Sequence, residues 1–228
     1  MGDLVNRPSF IFDLDGTLID SVYQHVIAWR GALADEGIDL AVWRIHRRIG
    51  MSGGLFVRAL AREIRREISP EQVASLQQSH SRYYRDIIDQ VRPLPGASDL
   101  LAALDALGIR WAIATSGLAI TARPALRTLG LPETTPMITR DQVAHAKPDP
   151  DLFIAAAATL EVDVRDSMIV GDSTWDMLAA RRAGGLGIGL LSGGYGRDEL
   201  ERAHAFRVYE EPADLLVHID ELGVRPRP

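Results

Sequence analysis

Short apolar runs recur along the chain, and each ends abruptly in glycine, hydroxyl or acidic residues. The clearest is Ser9-Phe10-Ile11-Phe12, which stops at Asp13-Leu14-Asp15-Gly16-Thr17. Apolar runs of this length bounded by turn residues predict buried strands. Residues 110–114, 136–138, 167–170 and 186–191 repeat the pattern, and 205–209 repeats it more weakly. Between them, residues 97–107, 120–129, 151–160 and 175–183 read as helices. Strands alternating with helices predict an α/β fold with a parallel sheet covered on both faces.

From about residue 21 to residue 91 the alternation stops, and the sequence reads as several amphipathic helices with no convincing strand. Ser21 with Gln24 makes a capping box, so a helix is expected to start there and run toward Asp35. Ser69-Pro70-Glu71-Gln72 gives a second start, with Ser69 as N-cap and Pro70 at the first helical position. Gly50-Met51-Ser52-Gly53-Gly54 is a flexible break ahead of a helix over residues 55–68, and Pro93-Leu94-Pro95-Gly96 marks the return to the alternating pattern. The expected organisation is a core formed by residues 1–18 and 93–228, with residues 19–92 inserted after the first strand as an all-helical cap.

Functional groups in open parallel sheets collect outside the carboxyl ends of the strands. Reading those ends in order gives Asp13 and Asp15, then Thr115-Ser116, then Gly171-Asp172 with Asp176 one helical turn on. Lys147 stands just ahead of the helix that begins near Asp149-Pro150. The topology thus gathers carboxylates, a lysine and a hydroxyl at one edge.

With these residues in place, the chain resembles the haloacid-dehalogenase superfamily, in its phosphatase branch with a helical cap (the phosphoglycolate-phosphatase and β-phosphoglucomutase group). The resemblance rests on Asp13-x-Asp15-Gly16-Thr17, Thr115-Ser116, Lys147-Pro148 and Gly171-Asp172-Ser173-x-x-Asp176 in this order. It implies a Rossmann-like core and hydrolysis of a small phosphorylated metabolite. A carboxylate can attack phosphorus and hold the phosphoryl group, dividing the reaction into two easier steps, and this falls to Asp13. Asp15 would protonate the departing alkoxide and then activate the water. Mg²⁺ would be held by Asp13, Asp172 and the main-chain carbonyl of Asp15, with Asp176 behind them orienting a water or Lys147. Thr115, Ser116 and Gly117 would bind the phosphoryl oxygens, and Lys147 would bridge them to the nucleophile. The resemblance also implies a cis Lys147-Pro148 bond. In the cap, Gly50 and Ser52 are the candidates for touching the leaving group. Trp29 is expected to pack in the cap core, while His25 one turn before it is a weaker functional candidate.

A mutase must grip a second phosphate, and the neighbourhoods where its cations would stand read Gly53-Gly54 and Gly117-Leu118, so a phosphatase is the stronger expectation. Dehalogenation would leave Asp15 and the metal site idle, and a retired binding protein would show damaged motifs. The formal charge of −6 is spread without a basic stripe, which argues against nucleic acid or an anionic membrane as partner. The absence of cysteine excludes disulfides and thiolate chemistry and fits a cytoplasmic enzyme. No apolar run is long enough to span a bilayer. Asn6 stands where a myristoylation signal has Ser or Thr, and the tail from Arg225 to Pro228 is expected to fray. The sequence is silent on oligomeric state.

Overall fold

The computed structural model describes residues 8–224, so Asn6 and the tail from Arg225 lie outside the described residues. The chain begins with β1 (Ser9–Phe12) and then a short β2 (Ile19–Asp20). Four helices follow: α1 (Val22–Asp35), α2 (Val42–His46), α3 (Gly53–Ile64) and α4 (Pro70–Ile87). After β3 (Arg92–Pro93) the alternating pattern resumes with α5 (Ala97–Ala106), β4 (Trp111–Ala114), α6 (Ala119–Thr128) and β5 (Met137–Ile138). It continues through α7 (Asp151–Thr159), β6 (Ser167–Gly171), α8 (Thr174–Ala183) and β7 (Leu186–Leu190). The last elements are α9 (Arg197–Arg202), β8 (Arg207–Tyr209) and α10 (Pro212–Val217).

Six strands form one parallel sheet in the order β5-β4-β1-β6-β7-β8. Successive side chains of β1 point to opposite faces, which sorts them into two cores. Phe10 and Phe12 pack with Leu100, Leu104, Leu126 and Leu215, from α5, α6 and α10. Ile11 packs on the other face with Leu152, Phe153, Ala156 and Ala180, from α7 and α8. Burial of each large side chain stabilises by about 1.5–3 kcal/mol, so β1 is held firmly from both sides and its carboxyl end is fixed in place.

The inserted helices have their own core, with Val26, Trp29 and Leu33 of α1 meeting Ile45, Phe56, Leu60 and Leu76. Where the chain leaves and re-enters the sheet domain, β2 and β3 pair antiparallel, Ile19 with Pro93 and Asp20 with Arg92. Two residues per strand are too few to show alternation, and this ribbon was not expected from the sequence.

Ser69 caps α4 with the expected reciprocal bonds to Gln72. The box expected at Ser21 is absent. Ser21 does precede α1, but its hydroxyl donates to Asp15 Oδ1 at 2.6 Å instead, and Gln24 Oε1 is buried without a partner. A charge-assisted bond to a carboxylate is stronger than a neutral cap, so the competition goes to Asp15. Gly53 and Gly54 lie in the first turn of α3, not in the break before it, and α3 stops at Ile64 where Arg65 turns left-handed.

Candidate functional site

Three parallel strands deliver the site. β1, β4 and β6 are adjacent, and their carboxyl ends run into Asp13, Thr115 and Asp172. The amide of Asp13 donates to the Val170 carbonyl at 2.8 Å, which continues the ladder one residue past the strand. Gly16 then turns the chain with φ +82°, and a Cβ there would lie 2.5 Å from Asp172 Oδ2. A Cβ on Gly193 would lie 1.8 Å from the same oxygen. Glycine is therefore required on both sides of Asp172 for the main chain to approach this closely.

Lys147 is fully buried, and its Nζ lies 2.5 Å from Asp13 Oδ1 and 2.7 Å from Asp176 Oδ1. It reaches them from just before α7, with the Lys147-Pro148 peptide cis as expected. Burial opposes the ammonium, but the two carboxylates win and hold its pKa above the ordinary lysine value. Asp176 sits in the first turn of α8, where Ser173 donates to its Oδ2 from both the amide at 3.1 Å and the hydroxyl at 2.5 Å.

Asp13, Asp172 and Asp176 can each bring a carboxylate oxygen within 4.8 Å of the others. Three carboxylates against one ammonium leave two negative charges in a buried volume. Burial, reinforced by Asp176 and Asp15 and opposed by Lys147, pushes Asp13 up to about 7. Asp172 is also raised well above the carboxylate range, by burial first and then by Asp176 and Asp13, although Thr17 Oγ1 donates to it at 2.9 Å. Oxygen donors with surplus negative charge fit a small divalent cation such as Mg²⁺, which would return these groups to their ionised forms.

Asp15 faces the other way. Its Oδ1 accepts from Ser21 and lies 3.0 Å from His25 Nε2, while Thr115 Oγ1 lies 3.5 Å from its Oδ2. Burial would raise its pKa, but His25 and Ser21 together hold it below the ordinary value. His25 Nδ1 is in turn 3.1 Å from His80 Nε2, and burial keeps His80 well below the ordinary histidine value. These rings belong to a stack through the cap. His25 lies flat on Tyr84 with centroids 4.0 Å apart, and His80 lies 4.3 Å from Trp29.

Between core and cap is a cavity of about 80 Å³. Its core wall includes Asp13, Asp15, Thr115, Ser116 and Gly117, and its cap wall includes His25, Gly50, Met51, Gln77 and His80. Thr115 Oγ1 accepts from the Gly117 amide at 2.9 Å, and Ser116 Oγ is buried without a partner. Away from the β2-β3 ribbon, Arg47 clasps the core. Its guanidinium forms a two-pronged ion pair with Glu199 and stacks 4.1 Å over the Tyr195 ring, whose hydroxyl donates to the Arg47 carbonyl at 2.8 Å. His46 Nε2 donates to the Gly193 carbonyl at 2.9 Å.

Residues 9–184 match the family of haloacid dehalogenase-like hydrolases. The chain belongs to that family. A phosphoglycolate phosphatase from Neisseria meningitidis is 36% identical over 186 residues, covering 80% of this chain and 79% of the relative. Hexitol phosphatase A from Escherichia coli is 31% identical over 183 residues, covering 77% and 79%. A crystal structure of a hydrolase from Pseudomonas syringae is 52% identical, with a TM-score of 0.93 over 95% of this chain and 99% of that one.

Against this haloacid dehalogenase-like site, the sequence-derived residues divide in two. Asp13, Asp15, Thr115, Ser116, Gly117, Lys147, Asp172 and Asp176 meet at one sheet edge, and Gly50 closes over them from the cap. Asp176 joins the carboxylate cluster directly as well as holding Lys147. The Asp15 side chain is not in that cluster. Ser52 is buried at the start of α3 and does not line the cavity. Two arginines, Arg48 and Arg140, do line it, although the sequence offers no cation at Gly53-Gly54 or Gly117-Leu118. Arg140 belongs to no motif, and Arg48 stands outside both neighbourhoods where a mutase cation was expected. His25 and His80 are far apart in sequence, and only the fold of the cap brings the pair to Asp15.

Proposed function

We propose that this protein is a phosphatase that hydrolyses a small phosphomonoester through a phosphorylated Asp13. The observation that carries the reading is the division of labour between two neighbouring carboxylates on one cavity wall. Asp13 is bridged to Asp176 by a buried lysine, while Asp15 is held by Ser21 and His25. An Asp13 oxygen bonds to phosphorus as the ester P–O bond breaks, and Asp15, carrying the proton it took from water in the preceding cycle, gives it to the departing alkoxide. Water then attacks the acyl phosphate with Asp15 accepting its proton, and phosphate leaves as the Asp13 carboxylate reforms. Thr115 Oγ1, the orphaned Ser116 hydroxyl and Lys147 are the donors available to the phosphoryl oxygens. Asp13, Asp172 and the Asp15 carbonyl would hold Mg²⁺, which when bound neutralises the charge that substrate and carboxylates bring together. Asp176 supports this set through Lys147.

The relatives named above act on unlike substrates, phosphoglycolate and a hexitol phosphate by their names, so the family alone does not select the substrate. We infer a small phosphorylated metabolite as partner, and a reducing cytoplasm fits a chain without cysteine. No helix among the described residues is long and apolar enough to cross a membrane.

The test is phosphate release from a panel of small phosphomonoesters with Mg²⁺, with chelator and with Ca²⁺. Turnover is expected with Mg²⁺ only, and Asp13→Asn should abolish it while leaving circular dichroism unchanged. Substantial activity in that variant would overturn the mechanism. Arg48 and Arg140 give one specific support to a second reading, a phosphosugar mutase, because they supply the cations that reading needs. Phosphorus NMR of β-glucose 1-phosphate with a bisphosphate primer separates the two, and inorganic phosphate is expected to appear before any glucose 6-phosphate.

A further inference from the structure

The cavity carries positive charge that the transfer chemistry above does not use. Arg140 follows β5, and its amide donates to the Gly117 carbonyl at 2.9 Å, which sets it beside the loop proposed to hold the phosphoryl group. Its half-buried guanidinium makes one bond, from Nη1 to the Val143 carbonyl at 2.7 Å, and no ion pair among the described residues. Most of its five donors are therefore unspent. Arg48 lines the same cavity from the cap, but its donors go to Glu63 and to the Arg44 carbonyl. Glu63 is shared with Arg44, so two guanidinium groups face one carboxylate and that side also keeps a net positive charge. Among the described residues, the only carboxylates lining the cavity are Asp13 and Asp15. The rest of the lining includes Trp29, Ile49, Met51 and Leu118, which keep the local dielectric low and make an unpaired cation more effective.

An unspent guanidinium on a partly apolar wall is built to receive an anion, and its planar fork suits a carboxylate or a phosphate equally. The transferring phosphoryl group already has Thr115, Lys147 and the proposed metal site. The geometry points to a substrate whose leaving group bears a second anionic group, with Arg140 as the residue that selects it. The inference rests on the phosphatase reading and deepens it. Arg140 is the selector because its main chain is tied to the core, so it stands in place whether or not the cap moves. The cavity of about 80 Å³ suits a small leaving group while the cap is in the position seen here.

The inference is tested by equilibrium binding in the Asp13→Asn background with Mg²⁺, which does not depend on turnover. The probes are phosphoglycolate, 2-hydroxyethyl phosphate as its uncharged-tail counterpart, and ethane-1,2-diyl bisphosphate. Phosphoglycolate, the bisphosphate or both should bind at least about tenfold tighter than 2-hydroxyethyl phosphate. The tighter of the two names the group that is read. Adding Arg140→Gln should bring that ratio to within about twofold, mainly by weakening the anionic probe, while Arg140→Lys should retain part of it. Equal binding of all three probes, or an equal loss for charged and uncharged tails in Arg140→Gln, would overturn the inference. Failure of the wild-type enzyme to release phosphate from any ester would instead count against the phosphatase reading.

Discussion

The two walls of the cavity hold their polar groups in different ways. On the core wall each group stands at a strand end or a helix start, and every carboxylate is held against a cation, hydroxyl or amide. On the cap wall the polar atoms ride on stacked rings, and away from the cavity the ion pair of Arg47 with Glu199 straps the cap to the core. Main-chain geometry places the first set, whereas packing among residues far apart in sequence places the second. Substitutions on the core wall should therefore cost both stability and chemistry, and those on the cap wall should tune chemistry with the fold intact.

The strongest way to break that contrast is Lys147→Met. Methionine fills similar space but leaves Asp13 and Asp176 buried without their shared cation. Breaking such a pair costs about 3–5 kcal/mol of folding stability, and losing a preorganised donor costs about 100- to 1,000-fold in kcat. Lys147 lowers the pKa of Asp13, so its removal lifts a value that already stands at about 7. A folded-state pKa above the unfolded value contributes stability below the unfolded value near 3.8, and that contribution is lost as pH rises through the folded value. The stability deficit of the metal-free variant should accordingly be small near pH 4 and largest above pH 8. Urea unfolding across that range checks it, and a deficit independent of pH would mean that packing, not charge, dominates.

A gentler probe of the cap wall is His25→Phe, which keeps a flat ring against Tyr84 but removes the bond to Asp15. A fall of about tenfold in kcat is expected, with the melting temperature little changed. His25 helps hold the pKa of Asp15 down, so without it Asp15 takes up its proton at higher pH. Any limb of the pH–rate profile that requires ionised Asp15 should move to higher pH. An unmoved profile with the same loss of rate would assign His25 to packing alone.

This division also explains how much could be read from the sequence. Asp13, Thr115 and Asp172 were legible because each terminates an apolar run, and a parallel sheet brings run ends together without further information. Ser69 was legible because its capping partner is three residues away. Ser21 has the same local signature, yet its hydroxyl goes to Asp15, since a charged acceptor outbids a local cap. His80 and Arg140 carried no signal at all. One reaches the site by helix packing across 55 residues from His25, and the other by a hydrogen bond between two loops.

The smallest expected effect belongs to the strap. Arg47 and Glu199 are both more than a third exposed, so solvent screens much of their attraction. Glu199→Gln should lower kcat/KM only about two- to threefold, and added salt should erase the difference. A larger effect that survives high salt would show that the stacking on Tyr195, and not the ion pair, holds the cap to the core.

The loop after β7 belongs to both walls at once. Ser192 donates to the Gly16 carbonyl at 2.6 Å, Gly193 lies against Asp172 while its carbonyl receives His46, and Tyr195 sits under Arg47. A cap grafted from another member of the family would therefore arrive without its counterpart in the recipient. Exchange of caps to change substrate requires residues 191–199 to travel with residues 19–92, as two inheritances that make one module.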